Sequence, residues 1–205
     1  YKIINCAIST FNGNTTFYET DYRVSSSLLK PKKKLDIHWT KSEDLLIKTV
    51  SKGAKIKRKY KVKVITLEKF CKEKSIKVIN YLHIDAQGSD LKVIKSLKKF
   101  RKCLIEGVAE ITENKNLSMY DREQSLKDLK RKFRIWKFKI KYINRIQKNM
   151  PYFDVHFATN NKIDQKNKII FKHPSKRIIR MFKRILSNQI NFKDIIFSYF
   201  LMMSP

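Results

Sequence analysis

Hydrophobic positions come in short blocks, set apart by lysine-rich polar stretches. KIINCAIS at 2–9 is nearly continuous and apolar, as in a buried strand. FNGN at 11–14 carries turn chemistry, and TTFYET at 15–20 resumes as a second strand. Residues 22–59 are polar and irregular, with SSSLLKPKKK as a loop and an amphipathic patch near Ser42 to Val50. KVKVITL at 61–67 alternates basic and apolar residues, as a half-buried strand does. Thr66 stands at an N-cap position before the helical pattern LEKFCKEK.

VINYLHID at 78–85 is the clearest buried strand, and a helix is predicted from Ser89 to Phe100. There Leu91, Ile94 and Leu97 recur at helical spacing, with lysines on the opposite face. CLIEGVAEI at 103–111 reads as a strand and DREQSLKDLKRKFR at 121–134 as a helix. WKFKIKYI at 136–143 and YFDVHFATN at 152–160 follow as two strands close together. Alternating strands and helices closed by a strand pair predict an α/β fold: a mostly parallel, helix-flanked sheet with an antiparallel pair at one edge. The expected division is a domain over 1–160 and a basic, amphipathic helical tail over 161–205, which holds SKRIIRMFKRIL and NFKDIIFSYFLMM.

Charge adds a second theme. The 205 residues hold 47 Lys and Arg against 18 Asp and Glu, a formal net charge of +29. Contact with polyanions is one consequence, nucleic acid or an anionic membrane surface among them. The lysines are nevertheless spread along the chain rather than gathered on one element, as an A- and T-rich coding sequence would supply them. No segment has the unbroken apolar length of a membrane span. Three cysteines, Cys6, Cys71 and Cys103, lie far apart, which argues against a zinc site or disulfide framework and for a reducing compartment, the cytoplasm.

The candidate chemistry lies in NYLHIDAQGSD at 80–90. A buried strand stops on Asp85, Gly88 follows three residues later, and a helix begins at Ser89 and Asp90. In open α/β sheets ligands sit beyond the carboxyl ends of the strands, where Asp85 is. Gly88 permits a tight turn and a close backbone approach. The same Asp and Gly also serve many strand-to-helix turns for geometry alone.

Taken with its surroundings, the stretch resembles the FkbM family of methyltransferases. Thr66-Leu67-Glu68 followed by LHIDAQGSDLKVIKSL is similar to the family's T-L-D segment and L-K-I-D-x-E-G-x-E signature. NCAISTFNGNTTFY resembles its N-x-A-[LI]-S…G…FY strand pair, SSSLL its S-S-L loop, VAEI at 108–111 its strand ending in Glu, and MYDREQSLKDL its Tyr-containing segment. The resemblance runs from residue 2 to about 160. Gln87 and Asp90 stand where Glu is common, and His83 where Lys is common.

The resemblance implies a class I, Rossmann-like methyltransferase that uses S-adenosylmethionine to O-methylate a sugar, polyketide or other small acceptor, a glycan among them. It implies Asp85, Gln87 and Gly88 as cofactor-binding residues. Asp85, Glu110 and His83 are the catalytic candidates, Asp85 to orient donor or acceptor and Glu110 from the neighbouring strand. His83 lies two residues back inside its strand, where a histidine is ordinarily a satisfied core residue. Ser26 and Ser27 are the candidates for the acceptor side. The four glycines, Gly13, Gly53, Gly88 and Gly107, form no G-x-G turn. The chain is therefore expected to begin at the third strand of the fold, with the cofactor-binding βαβ unit upstream, and to be inactive alone. The alternative reading is a basic nucleic-acid-binding or membrane-surface protein on a degenerate methyltransferase fold.

Overall fold

A computed structural model of the chain describes residues 4–159 and 201–202. Strand β1 (Ala7–Ile8) and strand β2 (Gly13–Thr20) follow the first two apolar blocks. The polar region after them holds two short helices, α1 (Ile37–Thr40) and α2 (Leu45–Gly53). Each starts on an aspartate: the Asp36 carboxylate accepts from the His38 amide, and the Asp44 carboxylate from the Leu46 and Ile47 amides. Strand β3 (Ile56–Ile65) is longer than its alternation predicts and reaches back over IKRKY. Thr66 caps helix α3 (Leu67–Glu73), its hydroxyl accepting from the Lys69 amide at 3.1 Å.

Strand β4 (Ile79–Ile84) leads to helix α4 (Asp90–Ser96), which gives way to a 3-10 turn over Lys98–Cys103 rather than running on to Phe100. Strand β5 (Leu104–Thr112) is followed by helix α5 (Leu126–Trp136). That helix starts later than its pattern predicts because the Asp128 carboxylate reaches back to the Ser125 amide, 3.1 Å away, and fixes the cap there. Strands β6 (Phe138–Arg145) and β7 (Tyr152–Thr159) come next, and β8 (Leu201–Met202) adds a short strand. The helical reading of the tail otherwise lies outside the described residues. Among the described residues no helix is long and apolar enough to cross a membrane.

The strands form two mixed sheets, not one mostly parallel sheet. The smaller has the order β1-β3-β2, so the first two strands do not pair with each other; β3 lies between them, parallel to β1 and antiparallel to β2. The larger has the order β6-β7-β5-β4-β8, and only its β4–β5 pair is parallel. The antiparallel edge pair is present as β6–β7. The α5 crossover carries the chain past β5 to the outer β6, and the turn into β7 then brings it back between β6 and β5, so β7 runs antiparallel to both.

Helices α3, α4 and α5 cover one face of the larger sheet. Leu82, Ile84, Ala109, Ile111, Val155 and Phe157 from the strands pack there against Phe70, Leu91, Ile94, Leu97, Leu129 and Phe133. Phe133, Phe138 and Phe157 close an aromatic cluster with centroids 4.8 to 5.2 Å apart. Each such pair contributes roughly 0.5–1.5 kcal/mol beyond its buried area. A second cluster, around Trp39, Ile47, Tyr120 and Tyr152, lies against the loops at the carboxyl end of β4 and β5.

Candidate functional site

The other face of the larger sheet is polar. Side chains alternate along a strand, so the register puts His83 beside Val108 and His156 in one row, and Glu110 beside Asp154 in the row toward the strand end. Asp85 directly follows β4 and continues the facing of His83. Asp85, Glu110 and Asp154 thus converge where β4 and β5 end and β7 begins. All three are half-buried.

The chain leaves β4 through a tight turn over Ala86–Ser89, closed by the Ser89 amide on the Ala86 carbonyl at 3.2 Å. Both central residues are left-handed, Gln87 with φ 45° and Gly88 with φ 84°. Gly88 is required twice over. A Cβ there would stand 2.9 Å from a ring carbon of Tyr120 and 3.1 Å from the carboxyl carbon of Glu123. Behind the turn, Asp90 is fully buried and bridges the two strand ends. Its Oδ2 accepts from the Ala86 amide at 3.2 Å, and its Oδ1 from the Glu110 amide at 3.0 Å.

The electrostatics follow from this crowding. Burial pushes the Asp85 pKa up, while a hydrogen bond from Gln87 Nε2 at 2.5 Å and the neighbouring His83 pull it back. Glu110 is pushed well above the usual carboxylate range, by burial first and then by Asp85, Asp90 and Asp154. Asp154 is raised by burial, with His83 opposing the rise. Burial lowers His156, whose ring stacks on Tyr142 with centroids 4.1 Å apart. The two carboxyls at the ends of β4 and β5 are therefore inequivalent. Asp85 holds a bond that favours its charged form; Glu110 takes no side-chain hydrogen bond from the described residues.

The structure brings Asp85, Gln87, Gly88, Glu110 and His83 to one strand end, His83 one row further back. Ser27 reaches the turn from the far side. Its hydroxyl donates to the Gln87 carbonyl at 2.7 Å and accepts from the Leu29 amide at 3.0 Å. Ser26 points elsewhere, its Oγ taking the Thr20 amide at 3.1 Å. Glu106 and Glu113 pair with Lys141 and Arg145 at the surface. Among the described residues no group of three or more His, Cys, Asp or Glu could hold a metal ion.

Sequence reasoning missed Asp154, His156, Tyr120, Glu123 and Tyr152. For the first two a signal existed: in YFDVHFATN two polar residues fall at i and i+2 of an otherwise apolar strand, hence on one face. Local periodicity assigns the other three no role, although MYDREQSLKDL, which resembles the family's Tyr-containing segment, holds Tyr120 and Glu123. Glu123 is 3 % exposed, and its Oε2 accepts from the Tyr152 hydroxyl at 2.9 Å and the Tyr120 amide at 3.4 Å. Its Oε1 has no hydrogen-bond partner among the described residues, and burial pushes its pKa up to about 7.

A family model described as the Methyltransferase FkbM domain matches residues 1–157. Comparison with curated proteins and with solved structures gave no match. The matched stretch runs from β1 into β7 and takes in every carboxylate at the strand ends as well as the turn behind them. On that match, which covers more than half of its length, the chain belongs to the FkbM methyltransferase family.

Proposed function

We propose that this domain is part of a class I, Rossmann-like methyltransferase that transfers a methyl group from S-adenosylmethionine to a hydroxyl of a sugar, polyketide or other small molecule. One observation carries the reading: Asp85, Glu110 and Asp154, half-buried, converge at the carboxyl ends of the one parallel strand pair of the larger sheet among the described residues, in a chain of net charge +29. Carboxyls raised by burial, and at Glu110 and Asp154 also by neighbouring carboxylates, suit a cationic ligand, which would favour their charged forms. The sulfonium and ammonium groups of S-adenosylmethionine are such cations.

The residues present fit one side of that donor. Asp85 and the backbone of Gln87 and Gly88 would hold it, and the bound sulfonium supplies an activated methyl group. What remains for the protein is positioning and the acceptor proton. Asp85, whose bond from Gln87 favours its charged form, is the carboxylate placed to take the hydrogen bond of the acceptor hydroxyl. Glu110, pushed well up and with no such bond from the described residues, is the one placed to offer a donor beside it. Two carboxyls pushed apart by their surroundings are how one site holds an acceptor and a donor at one pH. His83 acts on Asp85 through charge. Ser27 holds the Gln87 carbonyl and so the turn. We assign this chain no ribose- or adenine-binding residue.

Calorimetric titration of S-adenosylmethionine into the full-length protein tests the reading. Binding is expected, with Asp85→Asn weakening it roughly tenfold or more, the scale of a lost charged hydrogen bond. A full-length protein that binds no S-adenosylmethionine would overturn it.

A further inference from the structure

Tyr120 lies in the segment between β5 and α5, 33 residues from Gln87, and is 1 % exposed. Its hydroxyl stands 2.8 Å from the Ser25 carbonyl oxygen and 3.2 Å from Gln87 Oε1. Gln87 in turn donates from Nε2 to Asp85 Oδ1. The two ends of a carboxamide are not interchangeable: one only accepts, the other only donates. The phenol has one proton for two acceptors and shares it in a three-centre bond, the nearer Ser25 carbonyl taking the larger part. With that donor at Oε1, the amide has its Nε2 toward Asp85. Turned over, it would set Oε1 against the carboxylate, acceptor to acceptor.

The backbone around Tyr120 is fixed for this task. Glu123 Oε2 receives the Tyr120 amide, and the Tyr152 hydroxyl, which donates to the same carboxylate, accepts the Met119 amide at 3.1 Å. The ring also packs over Gly88, where a Cβ would stand 2.9 Å from one of its carbons. Among the described residues Asp85 Oδ2 takes no hydrogen bond. We propose that Tyr120 is a positioning residue for Asp85: its hydroxyl sets the Gln87 amide, the amide takes Oδ1, and Oδ2 alone is presented to the ligand. The positioning stands on the geometry above; what Oδ2 receives rests on the methyl-transfer reading.

The test needs no ligand. The carboxyl carbon of Asp85 is titrated by NMR in the full chain, in wild type, Tyr120→Phe and Gln87→Asn. Tyr120→Phe keeps the ring and removes the hydroxyl. Gln87→Asn keeps an amide and tolerates the left-handed backbone, but is too short to span Tyr120 and Asp85 together. The charged groups around Asp85, namely His83, Asp90, Glu110, Glu123 and Asp154, are unchanged in both.

Losing an oriented donor disfavours the carboxylate, so the Asp85 midpoint is expected to move to higher pH in both variants. The acid limb of S-adenosylmethionine binding is expected to follow, with roughly tenfold weaker binding below the new midpoint. A purely structural tyrosine would change the melting temperature and leave the Asp85 midpoint where it was; an unmoved midpoint in Tyr120→Phe overturns the proposal, whatever Gln87→Asn does. If Tyr120→Phe does not fold, Gln87→Asn tests the link through which Tyr120 acts, and an unmoved midpoint there overturns the proposal as well. Failure of the wild type to bind S-adenosylmethionine would sink the methyl-transfer reading and leave the titration result standing.

Discussion

Two sets of carboxylates flank the turn at Ala86–Ser89, and they are built on opposite plans. Behind the turn, Asp90 and Glu123 are 0 % and 3 % exposed; Asp90 gives both oxygens to the Ala86 and Glu110 amides, and Glu123 gives Oε2 to the Tyr120 amide and the Tyr152 hydroxyl. In front, Asp85, Glu110 and Asp154 are half-buried, and Gln87 makes the single side-chain bond to any of them among the described residues. Burial pushes all five up, and neighbouring carboxylates add to the rise at Asp90, Glu110 and Asp154. The difference lies in what the oxygens have left to do. A carboxylate engaged by backbone amides organises backbone; one left open at a strand end is available to a ligand. The front set is held in place by the back set.

Joining the two sets most directly is Gly88, so its substitution is expected to have the largest effect. Gly88→Ala puts a side chain at φ 84°, in contact with both Tyr120 and Glu123. The left-handed backbone and the overpacking together are expected to cost about 3 kcal/mol. For a chain of this size that lowers the melting temperature by roughly 10 °C. An alanine variant melting with the wild type would mean that the turn is free to open and that the back set does not hold the front.

Asp90→Asn separates the sets more gently. An amide has one accepting oxygen where Asp90 uses two, so either the Ala86 or the Glu110 amide is left facing an NH2 group. The expected cost is about 2 kcal/mol. Hydrogen exchange at the Ala86 and Glu110 amides is the sharper readout, since faster exchange at either one, with the β6–β7 amides unchanged, localises the loss to the strand ends. Equal exchange in both proteins would remove Asp90 from its bridging role.

Much of the front set was legible in the sequence, and little of the back set. Asp85 and Gly88 declare themselves because a buried strand ends, turns and restarts as a helix within eleven residues, and Glu110 because the neighbouring apolar strand ends on an acid. Local periodicity carries that much. Strand order is not local: β3 inserts between β1 and β2 through pairings separated by up to 57 residues, and β7 inserts between β6 and β5. Asp90 reads as a helix cap from its position, yet its carboxylate bonds an amide 20 residues away on β5. Tyr120, Glu123 and Tyr152 stand in polar or mixed surroundings, and only the folded chain stacks them under Gly88. The serines divide for the same reason: SSS is one loop signal in sequence, but Ser27 bonds a carbonyl 60 residues on, while Ser26 bonds Thr20.

Glu123 carries the smallest and most specific effect, because it acts through pH. Its carboxyl is raised from 4.5 to about 7, burial being the main cause. The folded state therefore binds its proton over a range in which the unfolded chain has already released it. Stability from this group is complete below the unfolded value, falls as pH rises between about 4.5 and 7, and is lost above the folded value. Glu123→Gln cannot titrate, so the variant's stability should vary less with pH than the wild type's between about pH 5 and pH 8, by on the order of 2 kcal/mol. Denaturant melts at both ends of that range give the comparison. The glutamine also brings an NH2 group to the place where Oε1 has no partner, a fixed cost that cancels between the two pH values. Parallel profiles for the two proteins would show that Glu123 stays charged beneath the turn, and the back set would then press its charge on Asp85 across the whole range.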